Sequence, residues 1–368
     1  MKRLLFALLA LTPLWTSAAT GKVLVVLSGV DYVRTREGGR HSTGYFLSEF
    51  TTPAQILARA GFELEIATPQ GRLPVFDKIS DAPNWFKSPE EHAKARTFLG
   101  SVRSLRAPRN LNLLRDTDLA AYDGLLIPGG HAAMEDLPGS SALGRILKNF
   151  HETAKPTAAI CHGPAALLAA QRTYVGYRMT VFSNAEEKEE EDAGHLSGHM
   201  RYYVADALRR QGAKIENGPN WKSHIVRDRE LITGQNPQSD QDLAEAFLEA
   251  LLEKVWSQQH AKVVDASPRS VDWKQGYTTI YVGARKPNVN ETEFERRLER
   301  HIALVKQTFG GPLRGYKILR TRDLEIAYQN WESPEALEHT IRTRGGAVLN
   351  DAKGFMEDVL FKPAASQL

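Results

Sequence analysis

Thr157-Ala158-Ala159-Ile160-Cys161-His162-Gly163-Pro164-Ala165-Ala166-Leu167-Leu168 is the stretch on which the fold turns. Its first four residues are small or apolar and predict the end of a buried strand, and residues 165–170 open a helix. The only cysteine of the 368-residue chain stands at the joint, followed at once by His162 and Gly163. A strand that turns sharply into a helix with a nucleophile at the turn is an elbow. The side chain is pushed out of the sheet, and the helix N-terminus behind it favours a thiolate. The plainer use of a lone cysteine is as a small buried hydrophobe, and Cys-His-Gly-Pro-Ala alone does not separate the two.

Upstream of the joint the chain alternates strand and helix. Residues 22–28, Lys-Val-Leu-Val-Val-Leu-Ser, predict a strand buried on both faces. A helix is expected over 43–60, with an apolar stripe of Phe46, Phe50, Ile56 and Leu57. Glu49 lies in its early turns and reads from the segment alone as a solvated carboxylate. Residues 61–69 alternate as a second strand. Residues 70–118 break the rhythm, with Trp85-Phe86 in a polar loop and a helix over 88–99. Such an insertion is a lid over a site or an embellishment packed on the sheet. Residues 122–131 form a third strand ending in Gly129-Gly130-His131. Glycines there let backbone N–H groups turn toward a ligand, and also serve tight turns without one. A helix over 141–150 leads back to the elbow.

Downstream, a strand is expected at 178–183, an acidic run at 186–192 reads as solvated surface, and a helix spans 199–211. A short strand at 214–216, a hairpin at 224–234 and a closing helix over 239–259 complete the unit. The alternation predicts an α/β domain with a doubly wound, mostly parallel sheet of flavodoxin-like type. Such sheets place their sites at the carboxyl ends of strands, where both the Gly129-Gly130 turn and Cys161 fall.

Residues 260–275 are polar and read as a linker. Beyond it the order strand 277–284, helix 290–309, strands 313–320 and 324–331, a helix opened by Ser333-Pro334-Glu335, and strand 358–362 is the split βαβ of a ferredoxin-like α+β domain over 276–368. Tyr277 and Tyr281 on its first strand, with Tyr328 and Trp331 on its third, must bury one face. So small a domain has a small core, so pairing of two copies, a homodimer, is expected.

Lys and Arg total 47 against 44 Asp and Glu, a net charge of +3. No basic run is dense enough for a nucleic-acid footprint. Lys2 and Arg3 precede an apolar run over 4–15, and Ser17-Ala18-Ala19 supplies small residues for cleavage. Residues 1–19 are therefore expected to be a signal peptide, too short for a membrane span. No later stretch is long and apolar enough to span, so an exported, periplasmic or secreted chain without an integral membrane segment is expected. In that compartment a single cysteine cannot form an internal disulfide, which favours a use for the thiol.

Four stretches in order carry a family resemblance: Thr43-Gly44-Tyr45-Phe46-Leu47-Ser48-Glu49-Phe50, Ile127-Pro128-Gly129-Gly130-His131, Ala159-Ile160-Cys161-His162-Gly163-Pro164-Ala165 and Leu231-Ile232-Thr233-Gly234-Gln235-Asn236-Pro237. Over about 22–254 the chain resembles the DJ-one/PfpI superfamily, whose fold is that of the class I glutamine amidotransferases. The insertion and the Gly-Tyr-Phe-Leu-x-Glu helix look most like its heat-shock-chaperone branch with glyoxalase III activity. The resemblance implies that Cys161 is the nucleophile, Glu49 the glutamate approaching the thiol, and His162 the histidine after it. It implies an acid orienting His162, with Glu187 lining up and Glu186 as its rival. It also implies an oxyanion site from the Gly130 and His162 N–H groups, beside Gly129 and His131. The C-terminal domain is similar to small dimeric domains of the antibiotic-biosynthesis-monooxygenase type, through residues 325–336.

The activity so implied is glutathione-independent conversion of a 2-oxoaldehyde such as methylglyoxal to a 2-hydroxy acid, through a hemithioacetal on Cys161. Glu49, its pKa raised by apolar neighbours, would move the proton. No metal or other cofactor is called for, and His41, His92 and His131 are too scattered in the sequence to predict a metal site. The same thiol also serves a deglycase, amidohydrolase or peptidase on an acyl or adduct substrate, or a non-enzymatic stress chaperone or redox sensor. Glutaminase chemistry would need a late histidine–acid pair, which His224 does not offer.

Overall fold

The computed structural model describes residues 20–258, 262–265, 277–286, 288–320 and 324–363; the expected signal peptide lies outside them. The chain opens with β1 (Gly21–Val26), a hairpin of β2 (Tyr32–Arg34) and β3 (Arg40–Ser42), α1 (Leu47–Arg59) and β4 (Phe62–Thr68). The insertion carries α2 (Pro89–Ser101), β5 (Arg109–Asn110) and α3 (Asp116–Leu119), and is followed by β6 (Gly124–Ile127), α4 (Ala133–Asp136), α5 (Ser141–Glu152) and β7 (Thr157–Ile160). Then come β8 (Arg178–Met179), α6 (Asn184–Asp192), α7 (Val204–Arg210), β9 (Lys214–Ile215), β10 (Ile225–Asp228), β11 (Leu231–Gly234) and α8 (Asp240–Gln258).

Seven strands form the central sheet in the order β10-β11-β7-β6-β1-β4-β5, parallel except for the β10–β11 hairpin. The continuous apolar runs follow from burial on both faces. Val23, Val25, Leu126 and Ile160 pack on one side with Phe50 and Leu57 of α1 and Phe247 of α8. Leu24, Val26, Leu125 and Ala159 pack on the other with Ile146, Leu147 and Phe150 of α5. The chain runs outward from β1 through β4 to β5, then crosses back to β6 on the other side of β1 and continues outward to β7, so the direction reverses between β1 and β6, next to β7. Their carboxyl ends are in register, Ile127 opposite Ala159 and Ile160 opposite Gly234. That reversal is where an open α/β sheet leaves a crevice.

Three boundaries differ from expectation, each because a tertiary contact takes the backbone. Helix α1 starts at Leu47 rather than 43, since Tyr45 bridges to Phe76 and the Phe46 N–H bonds to the Gly129 carbonyl at 3.1 Å. The strand expected at 178–183 shrinks to β8, paired with β9 in a separate two-stranded sheet, and Ser183 turns to cap α6. The helix expected from 199 starts at Val204, because Met200 bridges to Thr35.

The C-terminal region contains β12 (Lys262–Asp265), β13 (Tyr277–Arg285), α9 (Glu291–Phe309), β14 (Leu313–Arg320), β15 (Leu324–Trp331), α10 (Pro334–Lys353) and β16 (Met356–Pro363). Asn290 and Ser333 cap the two helices through their side chains. The sheet order is β12-β14-β15-β13-β16, so the β-α-β-β-α-β chain folds with its first and third strands central, as in ferredoxin-like domains. The stretch read as a linker is not all irregular: β12 pairs antiparallel with β14 along the sheet edge. Trp331 is fully buried beneath Phe309, 5.3 Å between ring centroids, and Tyr281 packs against the same core. Trp331 therefore fills the chain's own core, and Tyr281, half-buried, packs against it. The side chains of Tyr277 and Tyr328 lie outside the described ones.

Candidate active site

Cys161 has φ of +60°, a left-handed conformation that a residue with a Cβ adopts only when its surroundings impose it. The imposing contacts continue the strand on either side: the Cys161 N–H bonds to the Gly234 carbonyl at 2.9 Å, and the Cys161 carbonyl accepts the Phe182 N–H at 3.0 Å. A tight helical stretch, residues 163–174, follows at once. The elbow is thus built as expected, and its thiol lines a cavity of about 520 Å³.

Glu49 is fully buried rather than solvated. Helix α1 aims it at the elbow, where Oε2 accepts the Gly129 N–H at 2.9 Å and the thiol of Cys161 is a hydrogen-bonding neighbour. Burial pushes its pKa up to about 8. The repulsion of Asp240 adds to this; Asp240 opens α8 and is itself pushed up to about 7 by burial. A Cβ on Gly129 would meet Glu49 Oε2 at 2.7 Å and the Cys161 Cβ at 2.8 Å; one on Gly130 (φ +92°) would meet the Gly44 carbonyl at 2.2 Å. Both glycines are there because nothing larger fits between α1 and the elbow. The Gly130 N–H hydrogen-bonds the thiol, the place an oxyanion donor must occupy.

The thiol pKa is where expectation fails. The helix N-terminus suggests a depressed value; instead burial, and then the charge of Glu49, push it well above the ordinary thiol range. Two acids in one dry pocket cannot both ionise cheaply. A group able to take the thiol proton stands beside the sulfur. His162 Nδ1 is 3.2 Å from Cys161 Sγ, and His162 Nε2 is 2.8 Å from Glu187 Oε2. Glu187 rather than Glu186 orients the histidine.

The acidic run is not solvated surface at its start. Ser183 and Glu186 form a reciprocal cap on α6, and Glu186 also accepts from the Trp221 N–H at 2.8 Å and Asn236 Nδ2 at 2.7 Å. Glu187, one residue on, faces the cavity side and accepts from two histidines: its Oε1 is 2.9 Å from His131 Nε2. Burial pushes Glu187 up, but His162 and His131 outweigh it and hold the carboxyl well below the usual range. The two imidazoles diverge. Burial lowers both, yet Glu187 carries His131 above its ordinary value, whereas burial and the neighbouring His131 leave His162 below it. The two shifts run in opposite directions, so His131 is the readier of the pair to carry a proton beside Glu187, and the tautomer of His162 that donates from Nε2 turns its Nδ1 lone pair toward sulfur.

His131 was expected beside the oxyanion site; its place is in this charge pair, with its ring 4.1 Å from that of His162. Among the described residues, His131, His162 and Glu187 are one ligand-type group whose donor atoms lie within 4.8 Å of one another. The sequence hid it, because the three are far apart in the chain. Each of those atoms is already engaged in a hydrogen bond within the trio. His41 and His92 do not join them: His41 is bonded to Ser197 and His92 to Asp81. Asp240, Phe182 and Trp221 were missed as well. The only sequence signal for Asp240 is its position just after the Thr-Gly-Gln-Asn-Pro turn.

Residues 42–250 match the model of the DJ-1/PfpI family. A protein/nucleic acid deglycase, HchA, of Escherichia coli is 31% identical over 225 residues, covering 59% of this chain and 76% of the relative. The solved structure of the Rapid Encystment Protein 24 KDa of Francisella tularensis superposes with a TM-score of 0.52 at 26% identity, over 63% of this chain and 99% of that one. Glyoxalase III of Candida albicans shares the fold with a TM-score of 0.51 at 22% identity, over 63% of this chain and 97% of that one. Among the described residues no helix is long and apolar enough to cross a membrane.

Proposed function

The chain belongs to the DJ-1/PfpI family, and on that premise we propose that it is a glutathione-independent glyoxalase converting 2-oxoaldehydes to 2-hydroxy acids. The observation that carries this reading is a buried glutamate, its pKa pushed by burial up to about 8, at hydrogen-bonding range of the cysteine on a left-handed elbow. A hydrolase needs a nucleophile, a base and an oxyanion site. Internal redox of a 2-oxoaldehyde also needs a second base that carries a proton between two adjacent carbons, and Glu49 supplies one.

In the first step Cys161 Sγ bonds to the aldehyde carbon while its proton passes to His162 Nδ1, the resulting cation facing Glu187. The carbonyl π electrons move to oxygen, held by the N–H groups of Gly130 and His162; one such donor is typically worth about 10²–10³ in rate. His162 returns the proton to that oxygen, giving a neutral hemithioacetal. Ionised Glu49 then takes the proton from the former aldehyde carbon. The C–H electrons form a carbon–carbon double bond as His162 takes the hemithioacetal O–H proton and passes it to the neighbouring ketone oxygen, leaving an enediolate whose oxyanion faces the Gly130 N–H. Glu49 delivers its proton to that neighbouring carbon as the oxyanion's electrons form a carbonyl. The first carbon is oxidised to a thioester and the second reduced to an alcohol. Water adds to the thioester, sulfur leaves, and the 2-hydroxy acid is released.

The similarity to HchA favours a second reading on the same residues, removal of early aldehyde adducts from amines. Lactate formation from methylglyoxal, with and without a preformed arginine adduct, separates the two. The glyoxalase reading expects lactate from the free aldehyde at an undiminished rate when no amine is present. Lactate that appears only with the adduct would contradict it.

A further inference from the structure

The cavity is far larger than methylglyoxal needs. At about 520 Å³ it falls among sites that enclose drug-sized ligands. Methylglyoxal has a handful of heavy atoms, all of them taken up by the reacting carbons, their oxygens and one methyl group. The remaining space has aromatic walls. On one side the Phe182 ring lies over the His162 ring, 4.6 Å away and tilted by 36°, and Trp221 meets Phe182 edge-on at 5.5 Å. On the other, Phe46 and Trp85 form an edge-to-face pair at 5.1 Å.

Both walls hang from the residues that do the chemistry. Phe182 donates its N–H to the Cys161 carbonyl, and Phe46 donates to the Gly129 carbonyl. Trp221 is held at a cost. Its φ is +57°, a conformation rare for a bulky residue, and such strain persists only where the surroundings over-determine it. Glu186 accepts the Trp221 N–H at 2.8 Å, Glu189 accepts its indole N–H, and Glu189 also takes Asn220 Nδ2 at 2.7 Å. The acidic run therefore does two jobs: Glu187 sets the histidines, and Glu186 and Glu189 pin an indole at the cavity wall.

Resting on the glyoxalase reading for its chemistry, we propose that the site selects 2-oxo carbonyl compounds bearing an aryl group, which Phe182 and Trp221 hold while Cys161 takes the aldehyde. A flat ring offered to edge and face partners gains contact in both directions. One methylene of apolar contact in a pocket is worth about 10–200-fold in specificity, so a phenyl group in place of methyl has at least tenfold available. Because that contact is remote from the reacting carbons, it holds the aldehyde in position for the thiol.

The test compares kcat/KM for phenylglyoxal going to mandelate with that for methylglyoxal going to lactate, in the full chain under initial-rate conditions. The expected preference for the aryl substrate is about tenfold or more. Trp221→Ala should reduce the preference about tenfold, and Trp221→Phe should keep most of it. Equal values in the unaltered protein, or a preference that survives Trp221→Ala, would overturn the proposal. Binding gives a readout independent of turnover and of the altered loop. Phenylglyoxylate and pyruvate share a 2-oxo acid head and differ only in phenyl against methyl. Calorimetry on Cys161→Ala should find phenylglyoxylate bound about tenfold or more tighter, and equal affinities would overturn the aryl subsite. If neither aldehyde is turned over while phenylglyoxylate binds tightly, the glyoxalase reading falls and the subsite stands. Turnover that is indifferent to the aryl group gives the reverse.

Discussion

The elbow at Cys161 was readable in the sequence, but the electrostatics of its thiol were not. A helix N-terminus suggests a low thiol pKa, and only the fold shows that the nearest charge is the buried carboxyl of Glu49 from a helix over a hundred residues away in sequence. The consequence is measurable. Iodoacetamide should modify Cys161 slowly at neutral pH, with a rate that climbs beyond the ordinary thiol value of about 8.5. Glu49→Gln removes the opposing charge and should shift that midpoint down; an unshifted midpoint would show that the two groups are not coupled. Glu49 also sets a stability trend. Its carboxyl ionises near 4.5 when unfolded and at about 8 when buried, so between these values the folded protein binds more protons than the unfolded one. Stability therefore falls as pH rises through that window. Denaturant melts of Glu49→Gln and the unaltered protein should nearly coincide at pH 5. At pH 9 the variant should be more stable by a few kcal/mol, and a gap that does not widen would contradict the assignment.

At the scale of elements, the strands and long helices were legible because both signals are local: continuous apolar runs for the buried sheet and side-chain caps for the helices. What failed were segments whose backbone partners come from elsewhere. The start of α1 is set by Gly129 and Phe76, and the start of α7 by Thr35. Composition misread α6 most. Six acidic residues among the seven of 186–192 look like solvated surface, yet the capping geometry sends Glu186 and Glu187 inward. Their tasks differ, and so should their variants. Glu187→Gln removes the anion that orients His162 and should lower kcat by about 10²–10⁴-fold. Glu186→Gln breaks a buried hydrogen-bonded cluster with Ser183, Trp221, Gln235 and Asn236 and should cost about 1–3 kcal/mol of stability. Similar thermal midpoints and similar rate losses for the two would contradict this division.

At the scale of the whole molecule, the order of strands and helices sufficed to predict two units, because doubly wound and split βαβ chains announce themselves by alternation. Which face of the second sheet is free was not legible. Trp331 and Tyr281 were read as a face awaiting a partner; Trp331 is spent on the chain's own core, and Tyr281 packs half-buried against it. The homodimer remains a proposal that rests on the small size of that unit. A chain ending near residue 258 should keep its activity and sediment with fewer chains per particle than the full protein; an unchanged particle would remove the dimerisation role. The central claim is that Cys161 and Glu49 move a proton between adjacent carbons of one substrate. The most direct measurement incubates the full chain with methylglyoxal in deuterated water without glutathione and reads the product by NMR. The account predicts lactate whose alcohol carbon keeps the hydrogen of the substrate's aldehyde carbon, and no lactate from Cys161→Ala. An absence of lactate, full solvent deuterium on the alcohol carbon, or the same yield from Cys161→Ala would contradict it.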